Sequence, residues 1–208
     1  MGRAIESLRK LLWAACFAFL FFSKTFAQSN VSLKYFGLTI HPFGDDMANI
    51  QPYKLDDEAY FVLNFGGIAE YEKFIWEDIV ALTVSQGIFN DCSNGLSGIS
   101  HIGLQVLLLE KNKHRLYVDG GPTFYVREDW NRFKDYEDLG NFERRKMYNR
   151  SWQYRLFLIS GAFEYDYDIS SNKTISVSII PLPVVAFGFG FKYWFNKDFK
   201  RTDKLLMP

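Results

Sequence analysis

Two residues of this chain have side chains suited to handling an acyl group, and both stand at turns. His41 closes an apolar run just before Pro42, and Cys92 lies within the stretch "GIFNDCSNG" at residues 87–95. Acyl transfer needs a nucleophile or activated hydroxyl, a base for its proton, and donors for the developing oxyanion. Here His41 would serve as the base, Asp91 would orient or charge-balance it, and Cys92 or Ser93 would supply the thiol or hydroxyl. A carboxylate beside a thiol does not favour the thiolate, so Cys92 needs His41 close by. A plainer reading stands next to this one. Turns collect Asp, Ser and Asn for their local hydrogen bonds alone, and a histidine before proline can simply end a strand. Which holds depends on the elements that place these residues.

The N-terminus reads as an export signal. Arg3, Arg9 and Lys10 precede an apolar run over residues 11–22, and Thr25, Phe26 and Ala27 form a cleavage site after Ala27. That run is shorter than the roughly 20 residues a membrane-spanning helix requires. A lipoprotein reading at Cys16 lacks the apolar stretch that should precede the cysteine. Residues 1–27 are therefore expected to be a signal peptide and residues 28–208 one domain. Cleavage removes Cys16 and leaves Cys92 without a disulfide partner. The formal charge is zero and no Lys/Arg block dominates, which gives no support for nucleic-acid binding. Aromatics make up 18% of the chain, with 21 Phe among them. An exported, aromatic-rich chain with no spanning helix and no disulfide framework points to an outer-membrane β-barrel, with a secreted β-sandwich as the competitor.

Period-2 patterning divides the chain into strands over residues 31–41, 60–71, 74–89, 96–110, 115–127, 152–169, 174–180 and 184–195. The last is the clearest. Phe187, Phe189, Phe191, Tyr193 and Phe195 share one face, while Gly188, Gly190, Lys192 and Trp194 share the other. In the fifth, Leu116, Val118, Phe124 and Val126 oppose Tyr117, Asp119, Thr123 and Arg127. An apolar exterior around a polar or glycine-rich interior inverts the pattern of a soluble barrel. The expected fold is all-β, an eight-stranded antiparallel transmembrane barrel of the outer membrane. Short links at Glu72-Lys73, 110–114 and 170–173 would face the periplasm, and the longer alternate loops would face outside. This topology gathers His41, Asp91, Cys92 and Arg127 at one rim.

The residues at that rim also carry a family resemblance. The string DCSNGLSGISHIG, residues 91–103, matches a pattern like D-S-x-N-x-x-x-x-I-x-x-x-G through Asp91, Asn94, Ile99 and Gly103, with Cys92 at the serine position. His41, Pro42, Phe43, Gly44 and Asp45 are similar to H-x-P-Y-x-I-D. Arg127, Glu128, Asp129 and Trp130 are similar to R-D-N-W, and Ile180, Pro181, Leu182 and Pro183 repeat an I-P-L-P string. The chain thus resembles, over residues 41–130, the outer-membrane lipid A palmitoyltransferases. The resemblance implies an eight-stranded barrel moving an acyl chain from a phospholipid donor to a lipid A acceptor. It implies roles for His41, Asp91 and Cys92, with Ser93 as fallback, and places Arg127, Asp129 and Trp130 at the lipid head group. The chain departs from the family in beginning its first strand without an amphipathic helix and in carrying the loop over residues 128–151.

Other chemistry finds less support. Lipid A deacylases carry a histidine ahead of a Ser-Asn pair, and here Asp91 stands before Cys92-Ser93-Asn94. Three histidines without ligand spacing suggest no metal site, and no cofactor is expected. His101 is expected to be a hydrogen-bonded residue of the interior. An eight-stranded barrel is filled by side chains or one small ligand, which disfavours a pore. Arg144, Arg145, Lys146 and Arg150 could meet lipopolysaccharide phosphates or form a solvated loop face. The barrel is expected to be monomeric. A non-catalytic barrel with a structural or surface-binding role remains the alternative.

Overall fold

The structure, a computed structural model, describes residues 28–134, 136, 142–147, 149–181, 184–195 and 204–205. The signal expected over residues 1–27 lies outside the described residues, as do Leu182 and Pro183. The strands are β1 (Ser29–Ile40), β2 (Phe61–Trp76), β3 (Val80–Asn90), β4 (Leu96–Lys111), β5 (His114–Glu128), β6 (Glu143–Met147), β7 (Arg150–Asp168), β8 (Lys173–Pro181), β9 (Val185–Trp194) and β10 (Lys204–Leu205). Each wall strand pairs antiparallel with its neighbours, and β1 pairs with both β2 and β9. Because β4–β5, β5–β7, β7–β8 and β8–β9 also pair, eight strands close into a ring. The short β6 stands outside the ring, paired to β7 beyond the rim, and β10 pairs with β4 at Glu110 and Leu109.

Alternation sorts the side chains as a lipid-facing wall requires. Leu33, Ile88 and Phe191 point outward with 67%, 65% and 60% of their surface exposed. Their neighbours Lys34, Phe89 and Lys192 are buried inside. So much apolar surface would be untenable in water, and in a bilayer it is the favourable face. Trp76, Tyr167 and Tyr193 are exposed near the short-turn end, where amphipathic rings suit the membrane boundary. The links over residues 41–60 and 91–95, the turn at Trp130–Arg132 and β6 lie at the opposite end, the end that longer loops mark as extracellular in such barrels.

One link differs from the sequence reading. Glu72 and Lys73 do not form a turn; β2 runs through them to Trp76. Glu72 is an inward position of an unbroken period-2 run, fully buried, and its Oε1 accepts from Lys192 Nζ at 2.7 Å. The reversal comes later, with Glu77 at φ 45° and Ile79 N donating to Trp76 O at 3.1 Å. Polar residues facing a charged interior resemble a turn when read in isolation.

The interior is layered, with Phe74, Ala81, Leu107, Tyr117 and Trp194 packed together at the short-turn end. Next comes a charged plug, in which Lys192 meets Glu72, Glu164 and Asp166, and Lys34 meets Glu70 and Glu164. Arg115 pairs with Asp168 below them. Buried charges are tolerated because they are paired. Above the plug the filling turns apolar, with Phe36, Ile68, Phe89, Ile99 and Ala186 in contact. Phe36 and Phe89 stack with ring centroids 4.2 Å apart. Gly66 makes room for that pair, since a Cβ there would lie 2.1 Å from Phe89 Cβ.

The wall is incomplete on one side. Pairing of β7 with β8 stops at Phe163 and Ile179, and pairing with β6 begins at Tyr154. Among the described residues, the β8-facing edge of residues 155–162 has no strand partner. β7 bulges there too, because Leu158 and Ile159 fall opposite Pro122, which has no N–H to offer the ladder.

Candidate active site at the extracellular mouth

His41 follows the last residue of β1, and its N–H donates to Tyr60 O at 2.8 Å, which closes the root of the first loop. The chain then reverses through Gly44 at φ 72°, a left-handed conformation that costs glycine little. Gly44 N donates to His41 O at 3.0 Å, so the turn folds Asp45 back over the imidazole. Asp45 Oδ2 lies 3.1 Å from His41 Nδ1. The carboxylate is itself held, because Met47 N donates to its Oδ1 at 2.8 Å and Gln51 Nε2 donates to its Oδ2.

The other ring nitrogen faces the thiol. His41 Nε2 and Cys92 Sγ are 3.5 Å apart, and Thr39 Oγ1 lies 3.5 Å from the same sulfur. Both His41 and Cys92 are buried. Burial opposes charge on the imidazole, but the hydrogen bonds with Asp45 and Cys92 outweigh it and raise His41 to about 9. Burial likewise opposes charge on Asp45, and the bonds from His41 and Met47 N outweigh it and hold the carboxyl below its usual range.

Asp91 has a different task from the one its position suggested. Its Oδ1 accepts from Ser93 N at 3.0 Å, Ser93 Oγ at 2.8 Å and Gly95 N at 3.0 Å. Its Oδ2 accepts from Trp130 Nε1 at 2.8 Å. Asp91 therefore shapes the loop that presents Cys92, and Asp45 is the carboxylate beside His41. Ser93 donates to Asp91 and not to His41. Asp45 was missed because the sequence reading weighed the acid next to the cysteine. The usable signal was local, a carboxylate four residues past His41 with Pro42 and Gly44 between to fold the chain back.

The remaining rim residues divide. Arg127 Nε donates to Gln153 Oε1 at 2.9 Å and one NH2 donates to Tyr136 OH at 3.1 Å. Its guanidinium lies 3.9 Å from the Trp130 ring centre and 4.0 Å from that of Phe142. Asp129 instead caps the turn at Trp130–Arg132, its Oδ1 accepting from Asn131 N at 3.0 Å. It lines a cleft with Arg132 and Arg150 outside the main cavity. The structure thus brings His41, Cys92, Arg127 and Trp130 to one chamber and leaves Asp129 out of it.

That chamber has a volume of about 590 Å³, within the span of roughly 300–1,000 Å³ for small-ligand sites. His41, Asp45, Cys92 and Arg127 stand at its mouth, and Phe36, Phe89, Ile99 and Ala186 line it below. Phe157 and Ile180, beside the unpaired edge of β7, also line it. It is a polar-mouthed, apolar-floored well. The chain is an outer-membrane β-barrel.

No family model matches the chain, and no curated protein matches its sequence. Among solved structures it is similar to Ail, the attachment invasion locus protein of Yersinia pestis, at 14% identity and a TM-score of 0.47, covering 81% of this chain and 99% of that one. It is also similar to the N-terminal β-barrel domain of Pseudomonas aeruginosa OprF, at 13% identity and a TM-score of 0.47, covering 81% and 99%. Neisserial surface protein A is similar at 6% identity and a TM-score of 0.44, covering 83% and 97%.

Elsewhere in the interior, His101 is hydrogen-bonded, its Nδ1 and Nε2 each 2.6 Å from Thr123 Oγ1 and Asp119 Oδ1. Glu70, Glu72 and Glu164 converge closely enough to hold a cation. Lys34 and Lys192 already supply that positive charge, so the cluster fits an ion-pair plug better than a metal site.

Proposed function

We propose that this barrel transfers an acyl chain between lipids of the outer leaflet, seating the chain in the well and working on its ester at His41 and Cys92. The observation that carries the reading is the 3.5 Å separation of His41 Nε2 and Cys92 Sγ at the mouth of a well with an apolar floor. The base and the nucleophile are within reach of each other, and the hydrocarbon has a place to go. Phe157 and Ile180, at the wall opening beside β7, offer a lipid tail a sideways path into the well. The resemblance of residues 41–130 to lipid A palmitoyltransferases supports a phospholipid donor and a lipid A acceptor. Arg127 suits an anionic head group at the mouth.

The test is mass spectrometry of lipid A and phospholipids from cells with and without the gene. Gain of one acyl chain on lipid A, with matching lyso-phospholipid, is expected, and its loss in His41→Ala. An unchanged lipid pattern would favour a second reading, a non-catalytic barrel that binds surface polyanions through its loops. The exposed Arg144, Arg145 and Lys146 of β6, raised above the rim, support that reading.

A further inference from the structure

We infer that the acyl chain passes through Cys92 as a thioester, with Asp45 holding His41 in place for both halves of the transfer. This rests on the acyl-transfer reading above and adds to it a covalent route and a positioning residue.

Three features of the geometry point to it. Cys92 lines the well, and its sulfur is 3.5 Å from His41 Nε2. A buried cysteine that only fills space needs no imidazole. The opposite face of that imidazole is fixed by Asp45, which is fixed in turn by Met47 N and Gln51. A nucleophile, its base and an orienting third group make up the arrangement that activates a weak nucleophile. The competing hydroxyls are engaged: Ser93 Oγ donates to Asp91, and Thr39 Oγ1 accepts from Asn64 Nδ2 at 2.9 Å.

In the first half, the thiol proton moves to His41 Nε2 and Sγ attacks the ester carbonyl carbon of the donor lipid. The ester C–O bond breaks, and the departing oxygen takes the proton from Nε2, leaving a lyso-lipid and a thioester on Cys92. In the second half, a hydroxyl of the acceptor lipid gives its proton to Nε2 and its oxygen attacks the thioester carbon. The C–S bond breaks and the sulfur recovers the proton. No further reactant is needed.

The experiment uses the full-length barrel reconstituted with phosphatidylethanolamine vesicles and no acceptor, quenched in acid and weighed intact. A mass increase of one acyl chain is expected, removed by neutral hydroxylamine and absent in Cys92→Ala. Asp45→Asn should slow its formation about a hundredfold, the low end of what acid–base groups contribute. It should also move the pH midpoint of Cys92 alkylation by iodoacetamide upward, a change that loss of loop order alone would not produce. Cys92→Ser, which keeps the side-chain shape, guards against a folding defect: any adduct on it should resist neutral hydroxylamine. Should wild type and Cys92→Ala both transfer acyl chains to added lipid A at similar rates, the thioester is overturned while acyl transfer stands. Should wild type neither bind nor transfer lipid, both are overturned.

Discussion

Asp91 Oδ2 accepts a hydrogen bond from Trp130 Nε1 at 2.8 Å, which ties the loop after β3 to the turn after β5 across the mouth of the barrel. The same carboxylate binds Ser93 and Gly95 through its other oxygen. Asp91→Ala removes both acceptor oxygens and leaves Ser93 N, Gly95 N and Trp130 Nε1 short of an acceptor, and a cost of about 1–3 kcal/mol is expected. Trp130→Phe removes one bond and should cost about 1 kcal/mol. Urea unfolding of the reconstituted protein measures both. Equal losses would mean that the Trp130 bond is the only one that matters.

His41 makes local stability depend on pH. Its folded value of about 9 stands above its ordinary 6.5, so its contribution is fully present below 6.5 and is lost as pH rises through 9. Asp45→Asn removes the carboxylate that favours the charged ring, so the variant should lose less stability across that window than wild type does. Parallel unfolding curves at several pH values provide the comparison. Identical slopes for the two proteins would show that Asp45 does not hold the proton on His41.

Lys192 is fully buried between Glu72, Glu164 and Asp166. Lys192→Met strands these carboxylates without their cation, and a loss of about 3–5 kcal/mol is expected. Lys111→Met, at an exposed site, should change stability by no more than about 0.5 kcal/mol. A mild Lys192 variant would show that water already reaches the plug.

Ala186 lines the well with a small side chain and is itself buried. Ala186→Phe narrows the well, so the transferred chain should shorten or transfer should fall, while the ring of strands stays intact. Chain-length profiles of the product lipids, with far-ultraviolet circular dichroism as the control, decide this. An unaltered length preference would place the acyl chain elsewhere.

The wall was legible in the sequence because lipid outside and polar filling inside write a strong alternation, clearest in β9, where Phe189, Phe191 and Tyr193 are exposed and Gly190, Lys192 and Trp194 are buried. The end of β2 was not, because Glu70 and Glu72 face partners contributed by β1, β4 and β9, at least 33 residues away in sequence. At the mouth, His41 and Cys92 were legible as neighbours through strand topology. The choice between Asp45 and Asp91 was not, since it turns on side-chain direction. Asp91 spends its oxygens on its own turn, as aspartates in tight loops do, and only the backbone reversal at Gly44 brings Asp45 to the imidazole.

The ion-paired plug makes the barrel a vessel with one open end. Among the described residues the well opens at the mouth and at the breach beside β7, while its lower side meets the paired charges of Lys34, Glu70 and Glu164. A guest in the well therefore has its polar end at the cell surface and its far end against fixed charge.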